Sequence, residues 1–209
     1  LAGWFTWFRE LGSVLAVLPF KPRCSIEPLS RSGISAEMLY HHTPIFDRLS
    51  VKSYSLCPDW IAHSDFNRAH LGRATLIAYR DLDDCFTRMT DIVRRPQTKK
   101  YIYAYWPGFD RLAHTEGVAG ALTYQHFLEL DNRFSRLLAD LAGSGTRIIV
   151  TADHGFVDVS EPKKIHLDTH PIMKNCLSIP WCGEQRLSYA YVRQGKNEQF
   201  ESYIDQHLS

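Results

Sequence analysis

The chain has 209 residues, 44% hydrophobic and 22% charged, which suits a globular protein of one large domain, or a domain with a small insert. With 24 basic and 23 acidic residues the formal charge is +1, so neither a nucleic acid nor a membrane surface is expected as a partner. Five scattered cysteines (Cys24, Cys57, Cys85, Cys176, Cys182), odd in number and without a CxxC pair, argue against a disulfide framework and for a reducing, cytoplasmic compartment.

Leu1 to Gly12 is rich in aromatic residues, but Arg9 and Glu10 interrupt it, so it is neither a membrane span nor a signal-peptide core. Val14 to Pro19 reads as a strand or buried edge. Residues 21–48 mix Pro, Ser, Gly and charge, which predicts loops with one short helix near Ser35 to His41. Val51 to Cys57 alternates as a strand does, Pro58 to Leu71 is polar and irregular, and Arg73 to Arg80 suits a strand or a helix. From Asp81 to Arg95 the apolar residues fall at helical spacing, with Asp81 as N-cap and Pro96 just beyond the end.

Lys100 to Trp106 predicts a strand whose tyrosines are mostly core. Val118 to Ala142 carries Leu122, Phe127, Leu130, Phe134, Leu137, Leu138 and Leu141 at steps of three and four, a long amphipathic helix closed by Gly143-Ser144-Gly145. Arg147 to Thr151 predicts the next strand. Strand, helix, strand in this order is a right-handed crossover, which makes the two strands parallel. Residues 158–183 show little periodicity, Leu187 to Arg193 alternates as a strand, and Asn197 to Leu208 reads as an amphipathic helix.

Two clusters flank the long helix. Asp110 and His114 lie four residues apart, so at a helix start they share a face. Asp153 and His154 are adjacent and can face one ion only if the backbone turns sharply, which Gly155 permits. Each pair follows a predicted strand, and the carboxyl ends of parallel strands converge on one crevice. Carboxylate oxygen plus imidazole nitrogen, without cysteine, suits zinc or a similar divalent ion at a hydrolytic centre. Phe109 is placed to wall such a pocket. His166 and His170, bracketing Asp168, read as a surface loop, with completion of a metal shell as the alternative. Lys163 and Lys164 read as solvated charge.

An aromatic strand into Asp110-x-x-x-His114, a long helix, and a strand into Thr151-Ala152-Asp153-His154-Gly155 resemble the alkaline phosphatase superfamily, and within it the type I phosphodiesterase/nucleotide pyrophosphatase family. The resemblance implies an α/β fold with an alkaline phosphatase-like, mostly parallel sheet, helices on both faces and a small cap segment. Residues 1–157 would form the core, incomplete at its amino end, and 158–209 the start of the cap. It also implies two Zn2+ ions, with Mn2+ as the alternative. Asp110 and His114 would bind one, and Asp153 and His154 the other.

The implied activity is hydrolysis of a small phosphoric ester, with a nucleotide as the default substrate, through a Thr or Ser nucleophile. Thr6 sits in an aromatic run and Asp47 in a loop, so neither fits the family's early nucleophile and ligand. Both groups are expected upstream of Leu1, and no late GxHG-like histidine motif follows His154. The expectation is a fragment that hydrolyses weakly or not at all by itself. A non-catalytic protein retaining part of the metal site is the competing reading.

Overall fold

Aromatic and branched residues open the chain as a hairpin. Strand β1 (Phe5–Phe8) pairs antiparallel with β2 (Ser13–Ala16), placing Phe5 opposite Ala16 and Phe8 opposite Ser13. Gly12, at φ 56°, supplies the left-handed residue of the connection. The strand expected over Val14 to Pro19 therefore starts one residue earlier and stops at Ala16. Strand β3 (Lys21–Pro22) pairs with the other edge of β2. This computed structural model describes residues 4–40, 42–96 and 99–208. The helix expected near Ser35 to His41 is a single 3-10 turn, Ala36–Met38; His41, like Leu1 to Gly3, lies outside the described residues.

After a short helix α1 (Ile45–Arg48), strand β4 (Lys52–Pro58) has every residue but Lys52 buried. Such a continuous buried run is what a parallel strand paired on both sides requires. Pro58 to Leu71 is not irregular: it forms α2 (Asp59–Ala62) and α3 (Asp65–Leu71). The Ser64 hydroxyl accepts from the Asn67 backbone N–H at 3.2 Å and caps α3, so a local cap starts a helix despite the polar composition. Strand β5 (Thr75–Tyr79) settles the ambiguous segment and runs parallel to β4, Tyr54 opposite Thr75. Helix α4 (Leu82–Arg94) is capped by Asp81, whose carboxylate accepts from the Asp84 N–H at 2.8 Å. Strand β6 (Lys100–Ala104) then pairs parallel with the far side of β4. The parallel order is β5-β4-β6, and Tyr54, Leu56, Tyr79, Cys85 and Ile92 form the core between this sheet and α4.

Helices α5 (Gly108–Glu116) and α6 (Ala121–Asp140) follow. The expected strand Arg147 to Thr151 does not form: the segment is unpaired, and Ile149 is 83% exposed. A strand exists only through its ladder, and β6 is the outer strand of the parallel sheet. The same geometry corrects the tyrosines. On an outer strand Tyr101, Tyr103 and Tyr105 are exposed, not core. The apolar stripe of α6 is covered only in part, Leu137 being buried while Leu122 and Phe127 stay half exposed.

Helix α7 (Pro171–Asn175), strands β7 (Cys182–Gly183) and β8 (Ser188–Tyr189), and helix α8 (Asn197–His207) end the chain. The strand expected over Leu187 to Arg193 is thus two residues long, followed by an isolated bridge from Leu177 to Val192. Strand β7 pairs with β1, giving a second, antiparallel sheet of order β3-β2-β1-β7-β8.

The fold is α/β, consistent with an alkaline phosphatase-like architecture. Internal contacts divide the chain into Leu1–Tyr40 with Ser160–Ser209, and His41–Val159. The sequence division set residues 1–40 with the core; pairing of β1 with β7 groups them with the C-terminal segment. All five cysteines are free, including Cys176 and Cys182, which are buried. Among the described residues no helix is long and apolar enough to cross a membrane.

Asp84 in α4 offers a pH-dependent contribution. Its carboxylate accepts from Arg88 Nε at 2.7 Å and from the Arg80 backbone N–H at 3.0 Å. The Arg88 hydrogen bond, more than any other neighbour, holds its carboxyl below the usual range. A folded value below the unfolded one stabilises the fold above the carboxylate range and is lost as pH falls through it. Asp84→Asn should therefore lower the urea midpoint near pH ~7 and lower it less near pH ~2.5, as the carboxylate takes up a proton. An equal shift at both pH values would contradict this assignment.

Candidate metal centre

The first ligand pair is built by the start of α5. Pro107 is the N-cap, and Gly108 is buried, so tightly that an added Cβ would lie 2.6 Å from Trp106 Nε1. Trp106 is fixed in turn: it stacks on Tyr79 and His126, and its indole N–H donates to His126 Nε2 at 2.9 Å. That arrangement ties the end of β6 to α6 and sets where α5 begins. Asp110 then falls in the first turn and His114 one turn later, with Asp110 Oδ1 3.4 Å from His114 Nε2.

The second pair arrives on an irregular segment. Asp158 holds that segment in place, its carboxylate accepting from the Val118 N–H at 2.7 Å and the Ala119 N–H at 3.2 Å, in the turn between α5 and α6. Gly117 (φ 79°) makes room, since a Cβ there would meet Asp158 Oδ1 at 2.9 Å. His154 Nε2 comes to 3.6 Å from Asp110 Oδ1, and one ligand atom each from Asp110, His114 and His154 lie within 4.8 Å of one another. Among the described residues this is the one cluster of three such groups. The backbone bends at Asp153, two residues before the glycine expected to permit the turn, and Gly155 lies outside the left-handed region. Asp153 stands outside the triplet: its carboxylate is 91% exposed and 3.8 Å from His154 Nε2. The structure therefore groups His154 with Asp110 and His114, not with Asp153 alone.

Does this donor set fit a metal ion? In a tetrahedral shell with bonds of ~2.0–2.1 Å, neighbouring donors lie about 3.3 Å apart. The observed 3.4 and 3.6 Å are close to that, and each atom is an acceptor of the type zinc takes from Asp and His. Three protein donors leave one position open, as at hydrolytic centres.

Aromatic rings line one side. Phe156 packs edge-on against His154 and His114, with ring centroids 4.9 and 5.7 Å away. Phe109, the expected wall residue, stacks edgewise on Phe156 at 5.9 Å and on Phe127 at 6.2 Å. Tyr105, at the end of β6, has its phenol pushed above the ordinary value, first by burial and then by the Asp110 and Asp153 carboxylates. Phe156, Tyr105 and Asp158 were missed at the sequence level. For Phe156 the signal was present: it lies two residues from His154, where side chains of an extended segment share a face.

The remaining histidines of the sequence reading have local partners. His166 Nε2 is 3.5 Å from Glu161, and His170 Nδ1 is 3.0 Å from the Tyr203 hydroxyl. Lys164 pairs with Glu161, which fits solvated surface charge. Asp47 accepts from the Arg73 N–H at 2.7 Å and holds the loop before β5.

The sequence model of one family, described as type I phosphodiesterase/nucleotide pyrophosphatase, matches residues 4–207. The chain belongs to that family. No curated protein and no solved structure matches it. Members of the type I phosphodiesterase/nucleotide pyrophosphatase family act on small phosphoric esters and are typically metal-dependent, and in this member the Asp110–His114–His154 group offers a place for such an ion.

Asp158 bonds the Val118 and Ala119 N–H groups and is not one of the three donors, which gives a clean test of its positioning. Asp158→Ala should weaken zinc binding at least fivefold in competition with a chromophoric chelator, while far-ultraviolet circular dichroism stays unchanged. Asp158→Asn, which keeps one acceptor oxygen, should recover part of the affinity. Unchanged affinity in Asp158→Ala would show that the segment holds its place without the clamp.

Proposed function

We propose that this chain carries the divalent-metal centre of a phosphoric ester hydrolase that cleaves phosphodiester or pyrophosphate bonds in small substrates, nucleotides first among them. The observation that carries the reading is the convergence of Asp110, His114 and His154, in a chain that matches the phosphodiesterase family over nearly its whole length. Those three residues would hold one ion, zinc by the chemistry of the donors and manganese as the alternative. Asp153, exposed beside His154, would contribute to a second. A divalent ion there supplies Lewis-acid stabilisation of the charge that builds on phosphoryl oxygens.

The chain's own residues prepare the place. Asp110 Oδ1 stands within 3.6 Å of a ring nitrogen of both imidazoles. Phe156 packs against His154, and Phe109 packs on Phe156, so one flank of the cluster is apolar. The Thr or Ser nucleophile is proposed to lie outside these residues. Thr6, the early candidate, has its hydroxyl buried within the antiparallel sheet unit.

Elemental analysis after dialysis against trace zinc should find bound zinc in the chain, and His114→Ala should lose most of it. A non-hydrolysable nucleotide analogue should bind the zinc-loaded chain and lose at least tenfold in affinity after chelation with EDTA. Binding that is absent, or indifferent to zinc, would overturn the reading. The chain alone should turn over an activated phosphodiester weakly or not at all. Efficient metal-dependent turnover would place a nucleophile within residues 1–209.

A further inference from the structure

In the unit formed by Leu1–Tyr40 and Ser160–Ser209, a cleft of about 400 Å³ opens beside Trp181. That volume is in the range of small-ligand sites. Three cations, Arg23, Lys174 and Arg193, line it against one carboxylate, Asp168. In a chain whose formal charge is +1, this is a concentrated local excess of positive charge.

Both guanidinium groups are held. The Arg23 guanidinium lies 4.3 Å from the centroid of the Phe5 ring and donates through one terminal nitrogen to the Trp181 carbonyl. Arg193 donates from Nε to the Leu177 carbonyl at 2.6 Å, and its backbone N–H bonds the Cys176 carbonyl at 2.8 Å. Each guanidinium keeps further N–H donors beyond the one it has spent. Lys174 sits at the last turn of α7, and among the described residues no ion pair joins any of the four charges. Trp181, Leu167 and Ile179 add an apolar wall. Trp181 is itself packed on Phe200, 6.0 Å between centroids, so the wall is backed by core.

We propose that this cleft binds a small organic phosphate, independently of the metal centre. Two anchored guanidinium groups and an ammonium lining one cleft would offer several N–H donors to a phosphate dianion, because planar forks pair with phosphate through more than one hydrogen bond. The apolar wall receives the organic body of the ester. Asp168 opposes the dianion and keeps the affinity modest.

The test is calorimetric titration of the full chain in EDTA and low salt, which removes any contribution of metal ions. AMP should bind with a dissociation constant below about 1 mM, a free energy near −4 kcal/mol, and inorganic phosphate several-fold more weakly. Lys174→Gln, a change at an exposed side chain, should weaken AMP at least fivefold, and Asp168→Asn should tighten it a few-fold. Opposite shifts from two exposed substitutions are not produced by a loss of folding. Wild-type binding weaker than about 10 mM, or affinities unchanged in both variants, would overturn the proposal. Equal affinity for AMP and phosphate would overturn the role of the apolar wall. Zinc-dependent analogue binding at the other site should be the same in Lys174→Gln, so the two readings stand or fall separately.

Discussion

One carboxylate joins the two halves of the candidate centre. Asp110 and His114 are placed by helix geometry, which needs only the start of α5 to be fixed. His154 has no such frame, because the segment that carries it belongs to no helix or sheet. Two hydrogen bonds from the turn between α5 and α6 to Asp158 supply the frame instead. Charge-assisted bonds of this kind are stronger than neutral ones. They also satisfy two N–H groups that the turn before α6 would otherwise leave to water. The position of His154 and the closing of that turn are therefore one event.

This dependence has a consequence for how the centre holds charge. Asp110 Oδ1 stands 3.4 Å from His114 Nε2 and 3.6 Å from His154 Nε2. Metal ligation needs the imidazole lone pairs, so protons and a metal ion compete for the same three groups. Phe156 packs edge-on against both imidazole rings, which limits how they can turn. Phe156 thus shapes the centre without donating an atom to it.

Local patterns in the sequence were read correctly where the decisive contacts are local. The cap at Asp81, the apolar spacing of α4 and most of α6, and the buried run of β4 all depend on neighbours within a few residues. The failures have the opposite character. Arg147 to Thr151 has the composition of a strand but finds no ladder, and Tyr101, Tyr103 and Tyr105 are exposed because β6 is outermost. Whether a strand is inner or outer is decided by pairing across long sequence separations, which composition does not record. Asp158 acts on residues 40 positions away, and nothing in its own neighbourhood marks it. Asp110, His114 and His154 stand in short Asp/His motifs that the sequence displays, whereas their approach to one another depends on contacts between distant segments.

The two proposed sites would meet a phosphate in different ways, in a chain that is close to neutral. In the unit of His41–Val159, the groups that would meet it are acceptors, Asp and His, which are useful to an anion only through a cation held between them. In the other unit they are donors, Arg and Lys, which meet the anion directly. The first arrangement concentrates charge on a point and suits stabilisation of a changing electron distribution. The second spreads charge over fixed N–H groups, which suits recognition of a finished dianion and its organic body. His154 is carried by a segment that belongs to no helix or strand, whereas the two guanidinium groups of the cleft are anchored on the Trp181 and Leu177 carbonyls. The metal centre should therefore depend on its clamp for assembly, while the basic cleft, already backed by Phe5 and the Trp181–Phe200 pair, stands formed before any ligand arrives.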